Sequence, residues 1–247
     1  MKAFLVSVGM FTRLKVKDSS WENVQASSAI CCLPLVGLMC GFVTYTVLIF
    51  GRMLAIKTNQ LAFLATVSMF ALSGFLHLDG FMDSADALLS SRDQEGKLRI
   101  LKDSNVGAFS VIALSALALC LITSMQSWIE SSFDDRMAIL VPAASRAICA
   151  GGVFKFDSIA GSSMMAFFKN SQKPVHFIIC VVEFVVIGGV FAFLSINGAI
   201  ALAIATIFAI AVFCGANKAL GGINGDILGM QIVVFEAAMY FLLTIAL

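Results

Sequence analysis

The chain has 247 residues, 60% of them hydrophobic and only 13% charged, and its mean hydropathy is +0.98. Soluble domains carry about 25% charged and about 45–50% apolar residues. These figures exclude an ordinary soluble globule and predict an all-α, polytopic integral membrane helical bundle. The formal net charge of +1 supplies no electrostatic footprint for nucleic acid.

The first apolar run, Ala3 to Phe11, is shorter than the roughly 20 residues a bilayer span needs. Thr12, Arg13, Leu14 and Lys15 follow it where a signal peptide would place small residues. It reads as an interfacial or re-entrant helix. Seven membrane spans are expected at roughly 28–50, 60–78, 106–125, 137–154, 175–196, 198–216 and 227–246. Polar connectors at 51–59, 79–105, 126–136, 155–174 and 217–226 separate them. The link at Asn197-Gly198 is so short that spans five and six must form a tight antiparallel hairpin. With no internal repeat, one domain over 1–247 is the simplest organisation. The seven cysteines (Cys31, Cys32, Cys40, Cys120, Cys149, Cys180 and Cys214) lie in apolar runs without a C-x-x-C. They read as small packing residues, with neither a zinc site nor a disulfide framework.

Basic residues set the orientation. With the N-terminus inside, cytoplasmic segments hold twelve Lys and Arg, and the outer loops hold three, Arg52, Lys57 and Arg136. The C-terminus is then outside. The segment 79–105, the loop 155–174 and the glycine-rich turn 217–226 all face the cytoplasm.

Residues 77 to 103 hold six of the chain's fifteen acids and four of its sixteen bases. Asp79, Asp83 and Asp86 stand at i, i+4 and i+7, within about 60° of one another on a helix. Carboxylates beside lipid are costly. A stripe of three reads as a seat for Mg²⁺, which takes a few carboxylates together with water and phosphate oxygens. The ordinary alternative is a solvated acidic helix start, favoured by the helix dipole. Arg92, Lys97, Arg99 and Lys102 follow, either as phosphate partners or as plain positive-inside charge. Arg146 lies inside span four, where a buried Arg pairs with a carboxylate, binds an anion or snorkels. Gly221, Gly222, Gly225 and Asp226 form a glycine-rich turn. Its backbone N–H groups suit an anion, and Asp226 is placed to help a metal. Glu183 and Glu236 are intramembrane acids. His77, next to the stripe, is either a proton carrier or one more polar contact.

Together these blocks resemble the cobalamin synthase family, the adenosylcobinamide-GDP ribazoletransferases. The resemblance rests on His77-Leu78-Asp79-Gly80 with Asp83 and Asp86, then Lys102-Asp103-Ser104 with Gly107. Phe11-Thr12-Arg13-Leu14, Leu33-Pro34-Leu35-Val36-Gly37, Ser145-Arg146 and Gly221-Gly222 with Gly225-Asp226 and Leu228-Gly229 extend it over nearly the whole chain. Lys15 stands where the family usually has proline, Ala87 where it has glycine, and Asn105 where it has a basic residue.

The resemblance implies a transferase of the bacterial inner membrane with its active site toward the cytoplasm. It would join adenosylcobinamide-GDP to α-ribazole, or to its 5′-phosphate, and release GMP with Mg²⁺ as cofactor. Asp79, Asp83 and Asp86 would hold the metal. Asp103 would be a further ligand or the base, with His77 as the second catalytic group. Arg13, Arg99, Lys102, Arg146, Gly225 and Asp226 would bind phosphate and substrate. Beyond these substrates, membrane lipid is an expected partner, nucleic acid is not, and self-association stays open. Two rival readings are a CDP-alcohol phosphotransferase, whose acids are spaced more widely, and a secondary transporter built on Arg146, Glu183 and Glu236.

Overall fold

Lipid offers backbone polar groups no partner, so apolar runs satisfy them internally as helices. The computed structural model describes residues 1–17, 24–131 and 134–245, and these contain twelve helices. They are α1 (Lys2–Phe11), α2 (Ala26–Cys31), α3 (Leu33–Met53), α4 (Thr58–Ala71), α5 (Leu76–Leu89), α6 (Gln94–Ile100), α7 (Ala108–Glu130), α8 (Met137–Lys155), α9 (Ser163–Lys169), α10 (Pro174–Leu194), α11 (Ile196–Leu220) and α12 (Gly225–Ile245). The protein is a polytopic helical bundle. Six helical lengths are long and apolar enough to cross a membrane: α2 with α3, then α7, α8, α10, α11 and α12.

The second expected span, 60–78, is not one helix. α4 and α5 meet at 90°, and together they bring the number of crossings to seven only if the bent pair counts as one. The apolar run continues through Leu76 and Leu78, so hydropathy passes over the break. The backbone makes it with two successive left-handed residues, Gly74 (φ 62°) and Phe75 (φ 65°). A bulky residue held there is strained and needs its surroundings to keep it so. Arg13 supplies part of them: its N–H donates to the Leu72 carbonyl at 3.0 Å, and its side chain lies over Gly74. The connectors also carry more helix than their polarity suggests. Most of 79–105 is α5 and α6, and 155–174 contains α9.

α8 and α12 form the centre, each with 72% of its most apolar stretch buried, whereas α10 has 11% and forms the rim. α3 lies along α8 with Gly37 facing the backbone of Pro142 and Ala143, and Gly41 facing that of Ile139. The expected hairpin is present, with Ser195 between α10 and α11 and its hydroxyl accepting from the Gly198 N–H at 3.1 Å.

Inside the bundle, Arg146 is 1% exposed and Glu236 is fully buried. Arg146 Nη1 donates to Glu236 Oε1 at 2.6 Å and to the Pro142 carbonyl at 3.1 Å, and Ser145 Oγ donates to the same Glu236 oxygen at 2.8 Å. At the far end from α1, Asp135 accepts from Trp128 Nε1 at 2.9 Å and pairs with Arg52 at 3.1 Å.

Candidate active site at the crossing of α5 and α12

The acidic stripe lies on α5, the helix beyond the break. Asp79 is exposed, Asp83 is half-buried and Asp86 is buried, so the stripe descends from solvent into the bundle. The three acids do not have equivalent surroundings. Asp86 Oδ2 accepts from the Gly107 N–H at 2.6 Å, and Oδ1 accepts from the Ser110 N–H at 3.1 Å. It therefore caps the start of α7, satisfying two of the amides a helix start leaves open. Gly107 makes this approach feasible, because a Cβ there would run into the Asp86 carboxylate. The spacing of Lys102-Asp103-Ser104 from Gly107 is thereby tied to the third acid of the stripe.

The carboxylates of Asp79 and Asp83 have no hydrogen bond or ion pair among the described residues. A fourth carboxylate, Asp226, joins them from 143 positions beyond Asp83. α12 crosses α5 so closely that a Cβ on Gly80 would meet the Asp226 backbone at 2.9 Å, and one on Gly229 would meet the His77 carbonyl at 3.2 Å. This crossing brings Asp226 into electrostatic reach of both Asp79 and Asp83. Asn224 orients it: Nδ2 donates to Asp226 Oδ2 at 2.7 Å, while Oδ1 accepts from the Ile227 N–H at 3.1 Å. A cleft of about 70 Å³ opens beside them, with His77, Asp79, Gly225 and Asp226 in its wall. His77 is buried there, and its Nε2 has no hydrogen-bond partner among the described residues.

Asp79, Asp83 and Asp226 suit a hard divalent cation, being oxygen donors that repel one another and lack a protein cation. Among the described residues no three His, Cys, Asp or Glu side chains form a ready-made metal cage. An open set of carboxylates is nevertheless what Mg²⁺ uses, since it keeps waters and takes its other ligands from substrate phosphates.

The remaining expected site residues divide. Arg13 lies across the break with Gly74 beneath it, and Gly74 and Asp79 line one shallow pocket. Lys102, Gly225 and Asp226 line another. Arg99 instead pairs with Glu95 at 2.5 Å on the exposed face of α6, and it lines neither of these pockets. Arg146 is sealed in the core, where it pairs with Glu236 and not with the acids of the stripe. Asp103 is fully exposed, and its Oδ1 accepts from the Asn105 backbone N–H at 3.0 Å and from Nδ2 at 2.6 Å. These bonds hold its carboxyl below the usual carboxylate range and make it a weaker base.

The loop at 157–163 carries no charge pattern beyond Asp157 and did not stand out in the sequence. It pairs with the glycine-rich turn through an isolated parallel bridge between Ser158 and Ile223. Ile159 N–H donates to the Ile223 carbonyl at 3.0 Å, and Ile223 N–H donates to the Asp157 carbonyl at 2.8 Å. The loop's only local signal is a glycine followed by two serines, Gly161-Ser162-Ser163.

The fold is that of a multi-pass helical membrane protein, and unpaired carboxylates gather at one of its helix crossings. Comparison with known proteins narrows that class. Residues 3–244 match the family model described as cobalamin-5-phosphate synthase. The chain is 37% identical over 245 residues to the adenosylcobinamide-GDP ribazoletransferase of Clostridium perfringens (strain 13 / Type A), covering 99% of this chain and 98% of that protein. It is 33% identical to the protein of that name from Clostridium botulinum (strain Alaska E43 / Type E3), over 97% of this chain and 96% of that one. The Brevibacillus brevis protein of that name is 30% identical over 98% of each chain. No solved structure matches. The chain belongs to the cobalamin-5-phosphate synthase family, and with it to the transferases of cobalamin biosynthesis.

Proposed function

We propose that this chain joins adenosylcobinamide-GDP to α-ribazole or its 5′-phosphate and releases GMP, working at the cytoplasmic face of the bacterial inner membrane. The observation that carries this reading is the meeting of Asp79, Asp83 and Asp226 at the α5–α12 crossing without a protein cation to neutralise them. The orientation rests on the basic residues: the end of the bundle that holds α1, α6 and the glycine-rich turn also holds most of the Lys and Arg.

In the reaction a ribose hydroxyl attacks the phosphorus next to cobinamide. A new O–P bond forms, the P–O bond to GMP breaks, and the hydroxyl proton passes to a base. Such in-line transfers need positioning and charge neutralisation more than covalent help. Bound Mg²⁺ would neutralise the diphosphate and the developing charge on attacking and leaving oxygens. Asp79, Asp83 and Asp226 would hold it. Asp86 would keep the stripe in register by tying α5 to the start of α7. Lys102 and Arg13, one on each side of the acids, would meet phosphate oxygens. His77 Nε2, unpartnered in the cleft wall, is better placed than Asp103 to receive the proton. The wild-type protein in lipid should release GMP from adenosylcobinamide-GDP in the presence of α-ribazole and Mg²⁺, and Asp83→Ala should not. Equal rates would overturn the metal assignment. Absence of GMP release by the wild type would overturn the activity.

A further inference from the structure

The end of α6, the loop at 157–163 and the glycine-rich turn border a solvent-open cavity whose loop side no step above uses. It lies on the far side of Asp226 from the His77 cleft and shares Met164, Gly225 and Asp226 with it. Its volume is about 280 Å³, close to the ~300 Å³ at which small-molecule sites begin. The cleft on the other side, at about 70 Å³, is too small for a nucleoside. Leu98 of α6 and Leu101 just beyond it form one apolar wall, and Ile159 and Met164 form another. Lys102 contributes a cation. Ser162 and Ser163 contribute hydroxyls: Ser162 stands at the start of α9 without capping it, and neither hydroxyl bonds to another described residue.

We infer that this cavity holds the guanosine half of the nucleotide substrate and of the GMP that leaves, an inference that rests on the proposed transferase activity. The diphosphate must sit at Asp226 if the acids hold its metal, and this cavity is the larger of the two that Asp226 lines. A corrinoid macrocycle is far too large for either. A purine needs apolar walls for its faces and polar groups for its edge, and the larger cavity offers both. Lys102 stands where the phosphate attached to the ribose would pass. The parallel bridge at Ser158 and Ile223 fixes the serine loop relative to Asp226. Recognition of the nucleotide and seating of the metal are thereby built on one rigid unit.

The test is direct binding of GMP to the full-length protein in lipid nanodiscs, alongside steady-state kinetics. Ser162→Ala/Ser163→Ala should weaken GMP binding about tenfold, the loss of two ordinary hydrogen bonds. KM for adenosylcobinamide-GDP should rise by a similar factor, with KM for α-ribazole unchanged. Ala160→Trp, which fills the cavity from an exposed loop position, should do the same more strongly. Unchanged GMP affinity in the serine variant would overturn the inference, and so would a rise confined to the KM for α-ribazole, which would assign the cavity to the acceptor. The two readings fail separately. A wild type that releases GMP while the serine variant binds it normally refutes the cavity alone. A wild type that binds GMP through these serines yet never releases it from adenosylcobinamide-GDP refutes the transferase reaction.

Discussion

Two groups of carboxylates in this protein meet opposite fates. In the core, Glu236 is fully buried, and the chain supplies both Arg146 and Ser145 to it. At the α5–α12 crossing, Asp79, Asp83 and Asp226 lie within electrostatic reach of one another, and among the described residues no Lys or Arg is paired with them. Burying a charge without a partner is prohibitive, so the core acid needs its arginine to exist at all. The crossing acids sit at an opening and can take their counterion from outside. What separates a structural acid from a functional one here is the origin of its counterion, since both kinds lie beside apolar helices.

The largest effect should come from removing an acid at the opening. Asp83→Ala should lower GMP release by more than ~100-fold, the upper end of what the loss of a residue merely supporting a metal ligand costs. The protein's thermal midpoint in lipid should stay close to wild type, because Asp83 makes no bond that holds the fold. A large fall in the midpoint would place Asp83 with the structural acids and erase the comparison.

Next comes the core pair. Arg146→Ala leaves Glu236 buried without its cation and should cost about 3–5 kcal/mol of stability, read as a lowered midpoint or lost expression. Replacing both, as Arg146→Met with Glu236→Leu, should recover much of that loss and retain GMP release. If the double variant folds but is inactive, Arg146 acts on substrate after all.

This division was only partly visible in the sequence. The i, i+4, i+7 spacing exposed Asp79, Asp83 and Asp86 as one stripe, and apolar run length exposed most spans, because both are local and periodic. The turn at Gly74 and Phe75 hid inside an unbroken apolar run. The Arg146–Glu236 pair and the arrival of Asp226 beside Asp83 join residues 90 and 143 positions apart, and no local pattern encodes such partners. Gly80 and Gly229 did carry a trace of the close crossing, but a glycine does not say what approaches it. The serine loop lacked charge and so drew no attention. Asp86 was legible as an acid on the stripe but not as a cap, because Gly107 and Ser110 reach it from another helix.

Asp86 therefore gives the middle-sized effect and the sharpest test within the stripe. Asp86→Asn keeps an oxygen that can accept from one of the two amides, so the cap is weakened by about 1 kcal/mol, not abolished. GMP release should fall by no more than about tenfold, the rate equivalent of roughly 1.4 kcal/mol. Asp83→Asn, in contrast, should be as inactive as Asp83→Ala. Equal and complete loss in both variants would mean that the buried acid also binds the metal.

The smallest effect is expected at Arg99. It was a candidate phosphate ligand because it sits in a basic run after the acids, but its side chain is 77% exposed and turned to Glu95 one helical turn away. Exposed pairs of this kind contribute little to stability, and the guanidinium is not brought to the crossing. Arg99→Ala should leave GMP release within about twofold of wild type, whereas Lys102→Ala, at a residue that lines one cavity with Asp226, should raise KM for adenosylcobinamide-GDP by considerably more. The contrast isolates position from charge. Both residues are basic, three apart on neighbouring turns, and only the one that faces the cavity should matter. A comparable loss at Arg99 would mean that α6 swings onto the substrate during the reaction, bringing its outer face to the acids.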